Sequence, residues 1–319
     1  VNRDLYLGID TGGTAMKYVL LAPSGSVVAS GQVATEPADP VVSLQSLASA
    51  VSETLGGKQM PRLAAVGLAC AGIIDPQAAT VGRSPNLPGW QHRQLGQILG
   101  EVFGEIPQAV ANDVNGALYG EYRHGAGQGC QNLIMLALGT GVGGGVIVDG
   151  ELLVGSHCGA GEIGHMVLDI DGPPCVCGNR GCLEAYASST GILRVAQKHV
   201  QGGRLAALAE QRGAKLTTAD LARLAESGDA ETIAVFAAAG RRLGQAIGSL
   251  VNVLDPDKVI IGGGVARAGA LILAPCAEVI PQMVLSLEAQ RVPLVLAELG
   301  NNAAAVGVAS MARDKETSG

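Results

Sequence analysis

One short pattern occurs twice in this chain. Residues 5–14, LYLGIDTGGT, and residues 133–144, LIMLALGTGVGG, each run from an apolar stretch into a loop of glycine and threonine, and each loop feeds a second apolar stretch. A buried strand, a turn with no Cβ in the way and a returning strand, repeated in the two halves, predict two related α/β domains. In folds of this kind ligands bind at the carboxyl ends of the strands, where both loops lie. The pattern places a first domain at residues 1–115 and a second at 116–301, with a last helix, 302–319, returning to the first.

The remaining segments fit that frame. Strands are expected at Leu5–Ile9, Tyr18–Ala22, Val27–Val33 and Leu63–Ala69, and a helix at Val41–Leu55. A loop, 84–90, precedes a short helix and a short strand that reach Ala111, and a helix is expected over Asn112–Tyr122. In the second half Asp149-Gly150 is a two-residue hairpin signal between Val146–Val148 and Glu151–Val154. Helices fill most of 183–254. Strand Val259–Ile261 then ends in Gly262-Gly263-Gly264, and a strand at Leu294–Ala297 precedes the last helix.

The loops carry the chemistry. Glycines let backbone N–H groups approach phosphate oxygens, because no side chain blocks them. Gly12, Gly13 and Thr14 in the first loop and Gly139, Thr140 and Gly141 in the second are candidate phosphate ligands, with the threonine hydroxyls as further donors. Asp10, ending its strand, is placed to hold Mg²⁺ or its waters. Neither loop is a Walker A loop, since no Gly-Lys-Ser/Thr follows. Gly263 and Gly264 are either a plain strand-to-helix turn or bare backbone against an adenine or ribose. Asn112-Asp113 opens a helix, so either residue suits an N-cap; alternatively, Asp113 is a carboxylate that accepts the proton of an attacking hydroxyl.

His165, Cys175, Cys177 and Cys182 offer one imidazole and three thiols within a short span, a sufficient tetrahedral set for structural Zn²⁺. His157 and Cys158 are the nearest substitutes. Cys70, Cys130 and Cys276 read as packing residues. The first residues run straight into a strand and no apolar run is long enough to cross a bilayer, so a cytoplasmic location with reduced thiols is expected. A net charge of −7 argues against nucleic acid or an anionic membrane as a bulk partner.

Taken together, Asp10 to Thr14, Asn112-Asp113, Gly139 to Gly145, Glu162-Ile163-Gly164-His165 and Cys175 to Glu184 closely resemble the ROK family of repressors, open reading frames and kinases, over nearly the whole chain. The resemblance implies an actin-like ATPase and hexokinase-type (ribonuclease H-like) fold with a ligand cleft between the domains that closes on sugar, and a homodimer. It implies Asp113 as catalytic base, Asn86, Asn112, Glu162, His165 and Glu184 on sugar hydroxyls, and His165 serving both sugar and zinc. Many relatives have Lys directly after Gly-Gly-Thr; here Ala15 follows and Lys17 comes two residues later, read as a strand or surface residue.

The reading that results is an ATP-dependent hexose kinase, with glucose favoured because the 84–90 loop resembles that of glucokinase-like members. An N-acylhexosamine kinase would use the same hydroxyl contacts. A sugar-responsive repressor is disfavoured, since such members carry a helix-turn-helix ahead of the first loop and nine residues precede Asp10 here. An actin-like ATPase without sugar chemistry leaves Glu162, His165 and Glu184 without a purpose.

Overall fold

The computed structural model describes residues 4–54, 57, 62–82, 84, 86–198, 203–212 and 216–318. The chain divides into two compact units: residues up to Gly129 with Leu152–Ala160 and Glu298 onward, and Cys130–Glu151 with Gly161–Ala297.

In the first unit, strands β1 (Leu5–Thr11), β2 (Ala15–Leu21), β3 (Val27–Ala34) and β4 (Leu63–Cys70) are followed by a two-residue ribbon, β5 (Ile74–Asp75) and β6 (Thr80–Val81), and by β7 (Gln108–Asn112). The main sheet runs β3-β2-β1-β4-β7. The β1–β2–β3 meander is antiparallel, and β1, β4 and β7 are mutually parallel. β1 is almost wholly buried, as a central strand covered on both faces must be, whereas the edge strand β3 alternates between exposed and half-buried residues. Leu7 and Ile9 pack with Leu44, Leu47 and Val51 of helix α1 (Pro40–Thr54) and with Leu95, Ile98 and Leu99 of α2 (Leu95–Phe103). The opposite face of the sheet carries Tyr6, Val19 and Ala65, which meet Ala305, Ala309 and Ala312 of the C-terminal helix, Ala303–Ser318.

Contact there is so close that a Cβ on Gly8 would strike the carbonyl of Ala305. Helix α3 (Asp113–His124) joins the same layer, with Gly116 and Gly120 lying against the backbone of Gly307 and Ala303. This packing carries the divide past Gly129 instead of leaving it near 115: the helix that begins at Asp113 is bound to the C-terminal helix and stays with the first unit.

The second unit repeats the topology. Strands β8 (Leu133–Leu138), β9 (Val142–Val148), β10 (Glu151–Leu152), β11 (Lys258–Gly262) and β12 (Leu294–Leu296) form a sheet ordered β10-β9-β8-β11-β12. Again the hairpin is antiparallel and the inner strands are parallel. β10 is shorter than the expected Glu151–Val154, because the Val154 carbonyl turns to accept the Ala160 N–H at 3.0 Å. Helices α4 (Glu184–Ala187), α5 (Ser189–Lys198), α6 (Gly203–Arg212), α7 (Thr218–Glu226), α8 (Ala230–Leu254) and α9 (Ala270–Met283) complete it. α7 opens with a capping box between Thr217 and Asp220, and α8 starts on the Asp229 side chain, which accepts from Thr232 N at 2.9 Å. Gly240 and Gly244 form a stripe on α8 that admits the carbonyls of Ile272 and Cys276, seating α9 against it. Among the described residues no helix is long and apolar enough to cross a membrane.

Candidate active site

In the first unit, parallel pairing lines up the strand ends: Thr11 faces Cys70, and Cys70 faces Asn112. Asp10, Cys70 and Asp113 are thereby brought close enough to sense one another's charge. Burial pushes the Cys70 thiol up to about 12, with Asp113 and Asp10 adding to the shift. Burial likewise pushes the Asp10 carboxyl up to about 6, against the pull of Lys17 and with the charge of Asp113. Burial also raises Asp113 above the ordinary carboxylate range, although backbone N–H groups and Asn112 oppose it.

Which of Asn112 and Asp113 caps the helix is decided by the backbone. Asn112 is extended (φ −63°, ψ 149°) and its Oδ1 accepts the N–H groups of Val114 and Asn115 at 2.8 and 3.2 Å, so Asn112 is the cap. Its Nδ2 donates to the Gly72 carbonyl at 3.0 Å. Asp113 is the first helical residue. One of its oxygens accepts Val114 N–H at 3.0 Å. A carboxylate kept from capping, desolvated and raised in pKa has the properties of a general base.

The loop after β1 closes on itself by Gly12 N–H to the Ala15 carbonyl, 3.0 Å. Its own carbonyls are held from behind by Thr35, whose Oγ1 donates to Gly12 O at 2.8 Å and whose N–H donates to Thr14 O at 3.1 Å. The Gly13 and Thr14 N–H groups are left without a protein acceptor among the described residues. Asn86 is exposed and lies against Gly13, its Cβ 3.2 Å from where a side chain there would begin. Lys17 is more than a strand residue. Hairpin register sets it opposite Asp10, its Nζ is 3.7 Å from Asp10 Oδ2, and it also donates to Asn301 O at 3.4 Å.

In the second unit the loop after β8 is built by the same rule. Gly139 N–H closes on the Gly141 carbonyl at 2.9 Å. Ser189 N–H holds Gly139 O at 2.8 Å, and Thr190 Oγ1 holds Thr140 O at 3.1 Å. The N–H groups of Thr140 and Gly141 again have no protein acceptor among the described residues. Thr35 and Thr190, the backing residues, carry no local signal in the sequence.

Gly263 corrects the simple picture of an open third loop. Its φ is +87° and a Cβ there would run into the Leu138 backbone, so its missing side chain serves packing against β8. Gly264 has nothing within 4 Å of that position and is exposed. A cavity of about 670 Å³ in the same unit is lined by Arg241 of α8 and by Arg267, Ala268 and Gly269 just beyond Gly264.

The ligand atoms of His165, Cys175, Cys177 and Cys182 all lie within 4.8 Å of one another. Cys177 Sγ to Cys182 Sγ and Cys175 Sγ to His165 Nδ1 are both 3.7 Å. A tetrahedron with metal–sulfur bonds of about 2.3 Å has edges of about 3.8 Å, so the spacing fits a closed four-ligand zinc site and is far too long for a disulfide. With Nδ1 turned to the sulfurs, the Nε2–H of His165 is left as a donor on the other side of the ring. Glu162 is exposed, and among the described residues its carboxylate has no protein partner. Glu184 is already engaged: one oxygen accepts Val142 N–H at 3.0 Å and the other accepts the Cys175 thiol at 3.5 Å.

Two α/β units of matching topology, each ending a strand in a backbone N–H cradle, define a two-domain protein of the actin-like ATPase and hexokinase class. The ROK family profile matches residues 6–315, and the chain belongs to that family. It is 36% identical to a glucokinase of Halalkalibacterium halodurans, over 98% of this chain and 96% of that one. The crystal structure of a ROK family glucokinase from Streptomyces griseus in complex with glucose and AMPPNP superposes with a TM-score of 0.81 at 32% identity, covering 97% of this chain and 99% of that one. A xylose repressor of Bacillus subtilis is 28% identical over 97% of this chain and 77% of its own length.

Proposed function

We propose that this chain phosphorylates glucose at its 6-hydroxyl with ATP, Asp113 taking the hydroxyl proton. The observation that carries the reading is the division of labour at the start of α3: Asn112 caps the helix, and the Asp113 carboxylate beside it is desolvated and raised above its ordinary range. As the sugar oxygen forms its bond to the γ-phosphorus, the bond to the β–γ bridging oxygen breaks, ADP leaves, and the proton passes to Asp113. The reaction is mostly positioning and charge stabilisation, and the paired N–H cradles at Gly13-Thr14 and Thr140-Gly141 are suited to the phosphates. Asp10, which Lys17 faces at 3.7 Å, would hold the Mg²⁺ that accompanies the nucleotide, and that ion would supply charge neutralisation. The adenosine end is assigned to Gly264 and the cavity beyond it.

Sugar hydroxyls are assigned to Asn86, the remaining amide hydrogen of Asn112, Glu162, His165 Nε2–H and Glu184. Paired acceptors and donors of this kind reject analogues that lack a hydroxyl, since polar groups covered by the sugar would be left unmatched. His165, Cys175, Cys177 and Cys182 would hold a structural zinc, which would order the loop and favour the Nε2–H tautomer of His165. A reducing cytoplasm suits seven cysteines that form no disulfide. Homodimerisation is supported by the exposed apolar side chains Val253, Leu285 and Leu287, on the two segments that Asn252 ties together through the Met283 carbonyl and Leu285 N–H.

A coupled ADP-release assay with glucose, mannose, fructose, N-acetylglucosamine and N-acetylmannosamine tests the reading. Preferred turnover of glucose is expected. Preference for an N-acetylated sugar would move the assignment to an N-acylhexosamine kinase, and no turnover of any sugar would end the kinase reading.

A further inference from the structure

The contacts of Glu184 are unusual for a residue assigned only to sugar. Its Oε2 accepts the Val142 N–H at 3.0 Å, the first amide after the phosphate loop, and occupies the space a side chain on Gly141 would need. Its Oε1 is 3.5 Å from Sγ of Cys175, a contact that needs the thiol proton and is given up when Cys175 binds metal as a thiolate. Two other ties do not depend on that proton. Ser189 N–H and Thr190 Oγ1, just beyond α4, hold the Gly139 and Thr140 carbonyls. From α5, the Arg194 guanidinium donates to the Pro174 carbonyl, beside Cys175, at 3.1 Å and to the Ala185 carbonyl. These groups border one cavity of about 180 Å³, lined in part by Thr140, Gly141, Cys175, Glu184 and Arg194.

We propose that Glu184 is a positioning residue for the nucleotide: it couples the metal knuckle to the second phosphate loop, so that an ordered knuckle sets the loop for phosphate binding. The physical reason is directional. A cradle works when its carbonyls are turned away and its N–H groups face the anion, which requires something behind the loop to accept and donate. Glu184 accepts behind the loop at Val142, and Ser189 and Thr190 donate behind it at Gly139 and Thr140. All three sit on the segment that Cys182 begins. The coupling rests on the assignment of residues 139–142 to nucleotide phosphate.

Binding of Mg²⁺·AMP-PNP without sugar, followed by calorimetry, separates this role from sugar recognition and needs no turnover. Glu184→Ala is expected to weaken it about tenfold, the scale of a lost charge-assisted hydrogen bond. Glu184→Gln, whose amide oxygen still accepts Val142 N–H, is expected to stay within about twofold of wild type. Zinc content is expected to be equal in all three proteins. AMP-PNP binding indifferent to Glu184→Ala, or an equal loss in Glu184→Gln, overturns the coupling and leaves the loop assignment standing. No AMP-PNP binding by the wild type overturns both. Should Glu184→Ala fail to fold, Thr190→Val removes the tie to Thr140 and is expected to weaken AMP-PNP about threefold at unchanged zinc content; unchanged affinity there overturns the coupling.

Discussion

Replacing Asp113 by Asn tests the central claim most directly, and replacing its neighbour supplies the control. Asn is nearly the same shape as Asp, and its side-chain oxygen can still accept Val114 N–H as Asp113 Oδ1 does at 3.0 Å. The helix keeps its cap, because that belongs to Asn112. Loss of a favourable charge at the helix N-terminus costs about 0.3–1 kcal/mol, and relief of the desolvation that raises the Asp113 pKa works in the opposite direction. Stability should therefore move by less than about 1 kcal/mol. Turnover should not be spared: a general base contributes about 10²–10⁴-fold, or roughly 2.7–5.4 kcal/mol at 1.36 kcal/mol per decade. Asn112→Ala reverses the pattern. It removes the cap and the tie to Gly72 and costs about 1–2 kcal/mol of stability. ADP release at saturating glucose, read beside denaturant unfolding of both variants, gives the comparison. Near-normal kcat in Asp113→Asn would refute the base assignment, and an unfolding loss larger there than in Asn112→Ala would refute the division of labour.

Other outcomes follow from the same geometry. Because Asp113 must be ionised to accept a proton and its pKa is raised, kcat should climb with pH along an acid limb above the ordinary aspartate value of about 3.9; a profile flat down to pH 4 would contradict it. Asp10 is raised from 3.8 to about 6 in the folded state, so the folded protein binds that proton more tightly than the unfolded chain. Its contribution is favourable at low pH and declines as pH rises from about 4 through 6, by roughly 3 kcal/mol in total. Urea unfolding at pH 4 and pH 7 should show that decline in wild type and less of it in Asp10→Asn. Metal analysis should find about one zinc per chain, and Cys182→Ser should lose it with a lower Tm; a zinc-free wild type would remove the metal from the account. Gly263→Ala, which forces a Cβ into Leu138 at positive φ, should cost about 1–3 kcal/mol by thermal unfolding. An unchanged Tm would mean that the turn is not held as described.

Much was legible before any coordinates. The doubled strand-and-loop pattern announced two related α/β units, because a buried strand and a glycine turn are written in consecutive residues. The spacing of His165 and the three cysteines announced that these four side chains converge, for the same reason. Asn112 and Asp113 were legible only as a pair, since both side chains suit the start of a helix and the sequence holds no record of which one the backbone leaves extended.

Tertiary structure decided the rest. Thr35 and Thr190 back the two glycine loops from 23 and 50 residues beyond the carbonyls they bind, Gly12 and Thr140. Lys17 meets Asp10 only through hairpin register, Glu184 reaches Val142 from 42 residues away, and α3 joins the first unit through the C-terminal helix. Residue type and local spacing determine which turns and strands a chain can form. Which hydrogen-bonding group finds which partner across a fold depends on where the packed sheets bring distant backbone together, and no local stretch of sequence contains that information.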